Sequence, residues 1–222
     1  MEKRPVYHQK LKDIENELVA MGDLVEKALG RSIEALKQRD LALAHKIVAE
    51  DAAINKKRFD IESECAALIA GQQLSSNDSR VIIGVINLVT ELERIGDYAD
   101  GIAKIAIMIG DEPPLKQLID IPRMADIAIE MIHKGTRAFV NRDVEAANQI
   151  ISLDNNVDGL YDQVFRELLT FMMVDPKTIN RATHLIWVAH NIERAADRAT
   201  NVCERVIFLV TGKVDETGAS KY

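Results

Sequence analysis

Apolar residues recur every three or four positions through six stretches of this 222-residue chain. In the first stretch Leu11, Ile14, Leu18, Met21, Val25, Ala28, Ser32 and Ala35 form one stripe, the seam of a helix bundle. Asp40, after Arg39, suits an N-cap and opens a second helix predicted to run to about residue 73. Ser75, Ser76, Asn77 and Asp78 supply capping oxygens before a third helix expected over 79–109. Residues 110–114, Gly-Asp-Glu-Pro-Pro, form the strongest break in the chain. A fourth helix is expected to start near Pro122, a residue suited to a first helical turn, and to end at 141–143. The fifth runs from 143 to about 173. Asp175-Pro176 reads as an N-cap with proline behind it, opening a sixth helix that ends at Thr211-Gly212, where glycine can take the left-handed cap. The polar tail, 214–222, is expected to fray.

The pattern repeats. At an offset of 103, Met21 matches Met124, Ala35 matches Ala138, and Arg39-Asp40 matches Arg142-Asp143. Ala44, Ile47, Val48, Asp51 and Ile54 match Ala147, Ile150, Ile151, Asp154 and Val157. Further on the offset is 100, and the three-residue change falls in a loop, where length changes are tolerated. So long a period is no solenoid unit. The predicted fold is all-α: two tandem, pseudo-symmetric three-helix bundles, 1–112 and 113–222.

Composition agrees with helices: 47% hydrophobic, 5% aromatic, 11 Gly and 5 Pro. The net charge of −7 demotes non-specific nucleic-acid binding, which needs a basic surface. Cys65 and Cys203 lie far apart on apolar faces without zinc-ligand spacing, and read as core thiols in a reducing compartment. Residues 1–5 carry no apolar run behind them, so no signal peptide is expected. The apolar runs elsewhere are too short for a membrane span, and a cytoplasmic protein is expected.

The candidate chemistry sits in a doubled Glu-Arg-x-x-Asp. One copy holds Glu93, Arg94 and Asp97, the other Glu193, Arg194 and Asp197. Carboxylates four residues apart share a helix face, about 40° apart, and repel each other. Glu193 and Asp197 fall beside Ala182, Ile186, Ala189 and Ala196; Glu93 and Asp97 fall beside Ile82, Ile86, Val89 and Gly96. Acids placed toward a core need an arginine, a proton or a metal ion. The fifth helix adds Asp154 and Asp158, also four apart, within a stripe of Ala147, Ile150, Val157, Tyr161 and Leu168. The second helix has Asp51 at the equivalent place, with Asn55 rather than an acid four residues on. Several carboxylates across one groove would make an oxygen-rich site for magnesium, manganese or iron. His190, a turn before Glu193, is a possible nitrogen ligand, and Asp100 either adds an oxygen or links to Lys104.

Two other readings compete. In one, Arg58, Arg94 and Arg194 neutralise the acids in a metal-free scaffold, with Arg58 and Glu62 in a network on the Asp51 face. In the other the chain is a carboxylate-bridged metal oxidase or hydrolase. Glu130-x-x-His133 has the right spacing, but it occurs once and points away from the Met124/Met131/Ala138 stripe. No nucleophile elbow and no phosphate-cradling glycine loop is present, so no enzyme is expected.

The run from Leu92 through Glu93, Arg94, Ile95 and Gly96 to Asp97, and its second copy from Ile192 to Asn201, resemble the signatures of the PhoU family of phosphate-transport regulators. The resemblance extends to Met21-Gly22, Asp51 with Ile54, Asp78-x-Arg80, 154–161, Arg166-Glu167-Leu168 and Thr211-Gly212-Lys213. It implies two tandem three-helix bundles and a negative regulator of phosphate uptake and of the phosphate-starvation response. The implied partners are the ATPase subunit of a phosphate ABC transporter and a sensor histidine kinase, with the membrane reached only through them; a homodimer is expected. It also implies metal binding, by iron, manganese, zinc or magnesium. The candidate ligands are Asp51, Glu93 and Asp97 in the first half and Asp154, Asp158, Glu193 and Asp197 in the second, with Asn55 and Asp100 as possible additions. Departures from the family pattern are Asn55 for an acid, Gly101 where the second copy has Asn201, Tyr98 and Arg198 at a position often His, and Gln72-Gln73-Leu74 without the usual proline. The second site is therefore expected to be the better formed.

Overall fold

In the computed structural model, residues 3–71 and 74–213 are described; the expectations for the extreme N-terminus, for Gln72-Gln73 and for the 214–222 tail lie outside them. Six long helices account for nearly all of the described chain: α1 (Lys3–Gln38), α2 (Leu41–Gly71), α3 (Ser76–Ile109), α4 (Asp120–Asn141), α5 (Val144–Val174) and α6 (Ile179–Thr211). No strand occurs among the described residues. α1, α2 and α3 pack mutually, α4, α5 and α6 do the same, and the two trios join through α3 against α6 and α1 against α4.

The caps explain most of the boundaries. Asp40 accepts from the Leu43 amide at 2.9 Å, fixing the start of α2. Gly212 ends α6 in the left-handed conformation, φ 69°. Two boundaries differ from expectation. α3 starts at Ser76, because Ser75 takes the N-cap and exchanges hydrogen bonds with Asp78 in a capping box. Asp175-Pro176 opens a single 3₁₀ turn (Pro176–Thr178) ahead of α6, with Asp175 accepting from the Lys177 amide at 3.0 Å.

The core is aliphatic. Leu18, Met21, Leu88, Leu92, Met124 and Met131 are fully enclosed, and Phe139 is the largest side chain with no exposure. Burying each such side chain contributes about 1.5–3 kcal/mol, and the two seams supply the driving force for both trios. Cys65 and Cys203 are buried free thiols, as expected; burial pushes them up to about 11 and about 12, which leaves them unreactive.

Small residues set the close approaches. A Cβ on Gly96 would stand 3.1 Å from Ile54 Cγ2 and 3.8 Å from the Asp51 carboxylate, so glycine lets α2 lie against α3 beside that acid. α3 and α6 cross antiparallel. Asn201 donates to Glu91 at 3.2 Å, while a Cβ on Gly101 would meet Asn191 at 3.4 Å, so the contacts run in opposite order along the two helices. The midpoint falls at Gly96 and Ala196, which are repeat equivalents. Gly101, a departure by sequence, is thereby accounted for: the side chain of Asn191 packs against it.

Candidate metal centres

In the second half, Glu193 is the centre of a cluster spanning α5 and α6. Its carboxyl is pushed up to about 7, first by burial and then by Asp197, with Asp158 and Asp154 adding to the repulsion and Arg194 opposing it. The four acids foreseen for this half therefore feel one another across the helix pair. Asp197 is also raised, by burial, against the pull of Arg194, Arg198 and His190. Arg194 donates to Asp197 at 3.0 Å on its own helix. The Glu193 Oε2 atom is buried without a hydrogen-bond donor. His190 Nδ1 lies 3.5 Å from it, but burial lowers that imidazole's basicity and so weakens it as a counter-charge. The Tyr161 ring lies 6.2 Å from that of His190 and flanks the cluster from α5.

The first half is arranged differently. Arg58 of α2 donates to Glu62 at 2.8 Å and across to Glu93 of α3 at 2.9 Å. The side chain of Glu93 is 16% exposed, so a half-buried guanidinium already supplies its counter-charge. Asn55 donates to Asp51 at 2.8 Å, filling with an amide the place where its counterpart Asp158 brings a charge. Asp51 is raised by burial, then by Asp100 and Glu93. Asp97 is raised by burial, then by Glu93, Asp51 and Asp100. Asp100 pairs with Lys104, the local link weighed from the sequence, although its Oδ1 atom is buried without a hydrogen bond.

Sequence reasoning missed several partners. Of the three arginines weighed from the sequence, Arg58 makes the weighed link to Glu62 and also reaches Glu93 on a neighbouring helix; Arg194 stays on α6, and Arg94 makes no ion pair among the described residues. Arg198 reaches Glu91 on α3 at 3.3 Å. Glu130 pairs with Lys134, whereas His133 meets Glu26 of α1 at 3.0 Å, so the Glu-x-x-His spacing yields no ligand pair. Among the described residues, the three ligand-type side chains whose donor atoms converge within 4.8 Å are Asp23, Glu26 and His133. Arg137 already neutralises them, at 2.9 Å from Asp23 and 3.7 Å from Glu26, and the group reads as an ionic clamp between α1 and α4. The helical spacing of the acids signalled the half-sites. The clamp and the Arg58 bridge depend on inter-helix register, which no local pattern encodes.

No helix among the described residues is long and apolar enough to cross a membrane. The family model for the PhoU domain matches twice, over residues 18–106 and 121–206. A phosphate-specific transport system accessory protein PhoU homolog of Aquifex aeolicus is 38% identical over 206 residues, 93% of each chain. The crystal structure of PhoU from Pseudomonas aeruginosa superposes with a TM-score of 0.89 at 34% identity, covering 93% of this chain and all of that one. The phosphate transport system regulatory protein PhoU from Streptococcus pneumoniae gives 0.87 at 28% identity, covering 94% and 99%. These relatives are accessory and regulatory proteins of transport, not enzymes. The duplicated helix trio, the doubled acid motif and the full-length likeness converge: this chain belongs to the PhoU family.

Proposed function

We propose that this protein is a negative regulator of phosphate uptake and of the phosphate-starvation response. It acts in the cytoplasm as an adaptor between the ATPase subunit of a phosphate transporter and a sensor histidine kinase. The observation that carries this reading is the likeness, over 93% of the chain, to a phosphate-specific transport accessory protein. Its rigid helical surfaces suit two partners at once, and Phe165, Leu169 and Met173, exposed along one side of α5, offer apolar area for a homodimer or a partner. We take the two repeats to divide at 112/113, inside the proline break.

Metal binding is part of the proposal. Asp154, Asp158, Glu193 and Asp197 would hold a cation in the second half, and Asp51, Glu93 and Asp97 one in the first, with Asn55 and Asp100 as further oxygens. What supports this is the acid-rich donor set together with the buried, undonated Glu193 Oε2 atom. Hard and borderline cations such as magnesium, manganese, iron and zinc accept such oxygens. A bound cation would neutralise the repulsion and offer open positions to an acidic partner group or to phosphate. This chain's own part is to hold the carboxyl groups half-buried and close together, so that a bound cation would take the place of the proton that burial favours.

The test joins elemental analysis to partner binding. Protein purified without chelator or nickel resin should carry stoichiometric metal, lost in Asp154→Ala/Asp197→Ala. It should bind the purified transporter ATPase subunit in a metal-dependent way. No metal after incubation with iron or manganese would overturn the site assignment. No binding to either the ATPase or the kinase would overturn the adaptor reading.

A further inference from the structure

Repeat symmetry exposes a second site, at the junction of the halves, that is unrelated to the acid clusters. A cavity of about 320 Å³ opens between the C-terminal end of α1, the proline connection and the start of α6. That volume falls at the lower end of the range of small-molecule pockets. Its walls include Leu36, Leu115, Leu118 and Leu185, with Lys37 and Arg39 at the rim. Among the described residues neither Lys37 nor Arg39 makes a hydrogen bond or ion pair.

The repeat equivalent of this place is filled. At the same offset of 103, Leu36 corresponds to Phe139, Arg39 to Arg142 and Leu118 to Glu15 of the other half. In the filled version the Phe139 ring is fully buried. The Arg142 guanidinium lies 4.9 Å over that ring, caps the Phe139 carbonyl and pairs with Glu15. Ring, guanidinium and carboxylate thus form a closed trio. Both arginines hold the left-handed backbone at the end of their helix, φ 57° at Arg39 and φ 58° at Arg142, a conformation in which glycine is the usual residue. At the cavity the ring and the acid are both replaced by leucine, and only the arginine of the trio is kept.

We propose that this cavity binds a small anion bearing an apolar ring, the ring taking the place of Phe139 and the carboxylate or phosphate taking the place of Glu15 against Arg39. The leucines supply an apolar floor, Lys37 and Arg39 favour negative charge, and the one lining carboxylate, Glu112, is answered by Arg181 at 3.7 Å. The inference stands independently of metal binding and of the adaptor role.

Calorimetric titration of the full chain with 3-phenylpropionate, phenyl phosphate and the neutral 3-phenylpropanol tests it. At least one of the two anions should bind saturably, and the one that binds more tightly identifies the headgroup. The alcohol should bind at least about tenfold more weakly. Arg39→Gly removes the guanidinium in a backbone conformation that glycine accepts, and should weaken anion binding about tenfold. Leu36→Phe/Leu118→Glu rebuilds the closed trio from within and should abolish binding. The proposal is overturned if neither anion binds wild type saturably, if the alcohol binds as tightly as the anions, or if Arg39→Gly binds as well as wild type. Should the double variant fail to fold, the Arg39→Gly comparison decides.

Discussion

Glu91 on α3 and Asn201 on α6 meet at 3.2 Å across the junction of the two halves, and Arg198 reaches the same carboxylate oxygen at 3.3 Å. Arg198 is only 15% exposed and its Nε atom is buried without an acceptor, so Glu91 is its main counter-charge. Glu91→Ala should lower stability by about 2–4 kcal/mol, because a half-buried guanidinium is left behind. Arg198→Ala should cost a similar amount. The double variant should lose less than the sum of the two, and urea unfolding of all four proteins measures the coupling.

Gly96→Ala should force α2 away from α3 beside Asp51. The added methyl would stand 3.1 Å from Ile54 Cγ2, inside ordinary contact distance. A loss of about 1–3 kcal/mol is expected, or about 2–4 °C in Tm per kcal/mol for a chain of this size. Ile54→Ala in the Gly96→Ala background should recover part of the overpacking loss. Thermal unfolding followed by circular dichroism reads both effects.

Glu193 gives the metal-free protein a pH dependence of definite sign. Its folded carboxyl is raised to about 7 from an ordinary 4.5, so the folded state holds a proton that the unfolded state releases. Stability from this group is complete below about pH 4.5 and is lost as pH rises toward 7. The lowered basicity of His190 works in the opposite direction near its own titration, so the diagnostic is a difference between proteins. In chelator, Glu193→Gln should flatten the decline seen for wild type between pH 5 and pH 7.5. Identical pH profiles for the two proteins would contradict the buried-acid account.

Arg58 sets the two half-sites apart. It donates to Glu93 at 2.9 Å, where it stands in for a cation. Arg58→Met keeps the aliphatic stem and removes the charge. On the metal reading, this variant should bind manganese more tightly in the first half, by about tenfold, as the free-ion signal in a spin-resonance titration would show. Unchanged affinity would mean that Arg58 does not compete for that site.

The elements were legible in the sequence because each seam repeats at three- and four-residue spacing and each break carries turn chemistry. The two boundary errors have local causes. Ser75 outcompeted later residues as the cap because Asp78 could return its hydrogen bond. The proline after Asp175 closed a 3₁₀ turn before α6 began. Placing Glu93 and Asp51 toward the core was also legible, since their helical faces are otherwise apolar. Local links such as Arg58 to Glu62 were legible too, but which cation answers an acid on another helix was not. Arg58 lies 35 positions before Glu93 and Arg198 lies 107 after Glu91, distances at which only the packed register decides the pairing. Gly101 stands in the sequence as a departure from Asn201 of the second copy, and the reason for a small residue there, the Asn191 side chain packed against it, lies in the register of α3 and α6.

The antiparallel crossing of α3 and α6 about Gly96 and Ala196 has the symmetry of an isologous subunit interface, in which residue i of one copy faces j of the other and j faces i. Here both copies lie on one chain, so the fold has the layout of two three-helix units joined as a covalent dimer. On one chain the two sides of that interface need not match. Glu91 has Arg198 and Asn201 as partners, while its counterpart Asn191 packs against a glycine. The protein is consequently a heterodimer in all but connectivity, with two related but separately tunable faces.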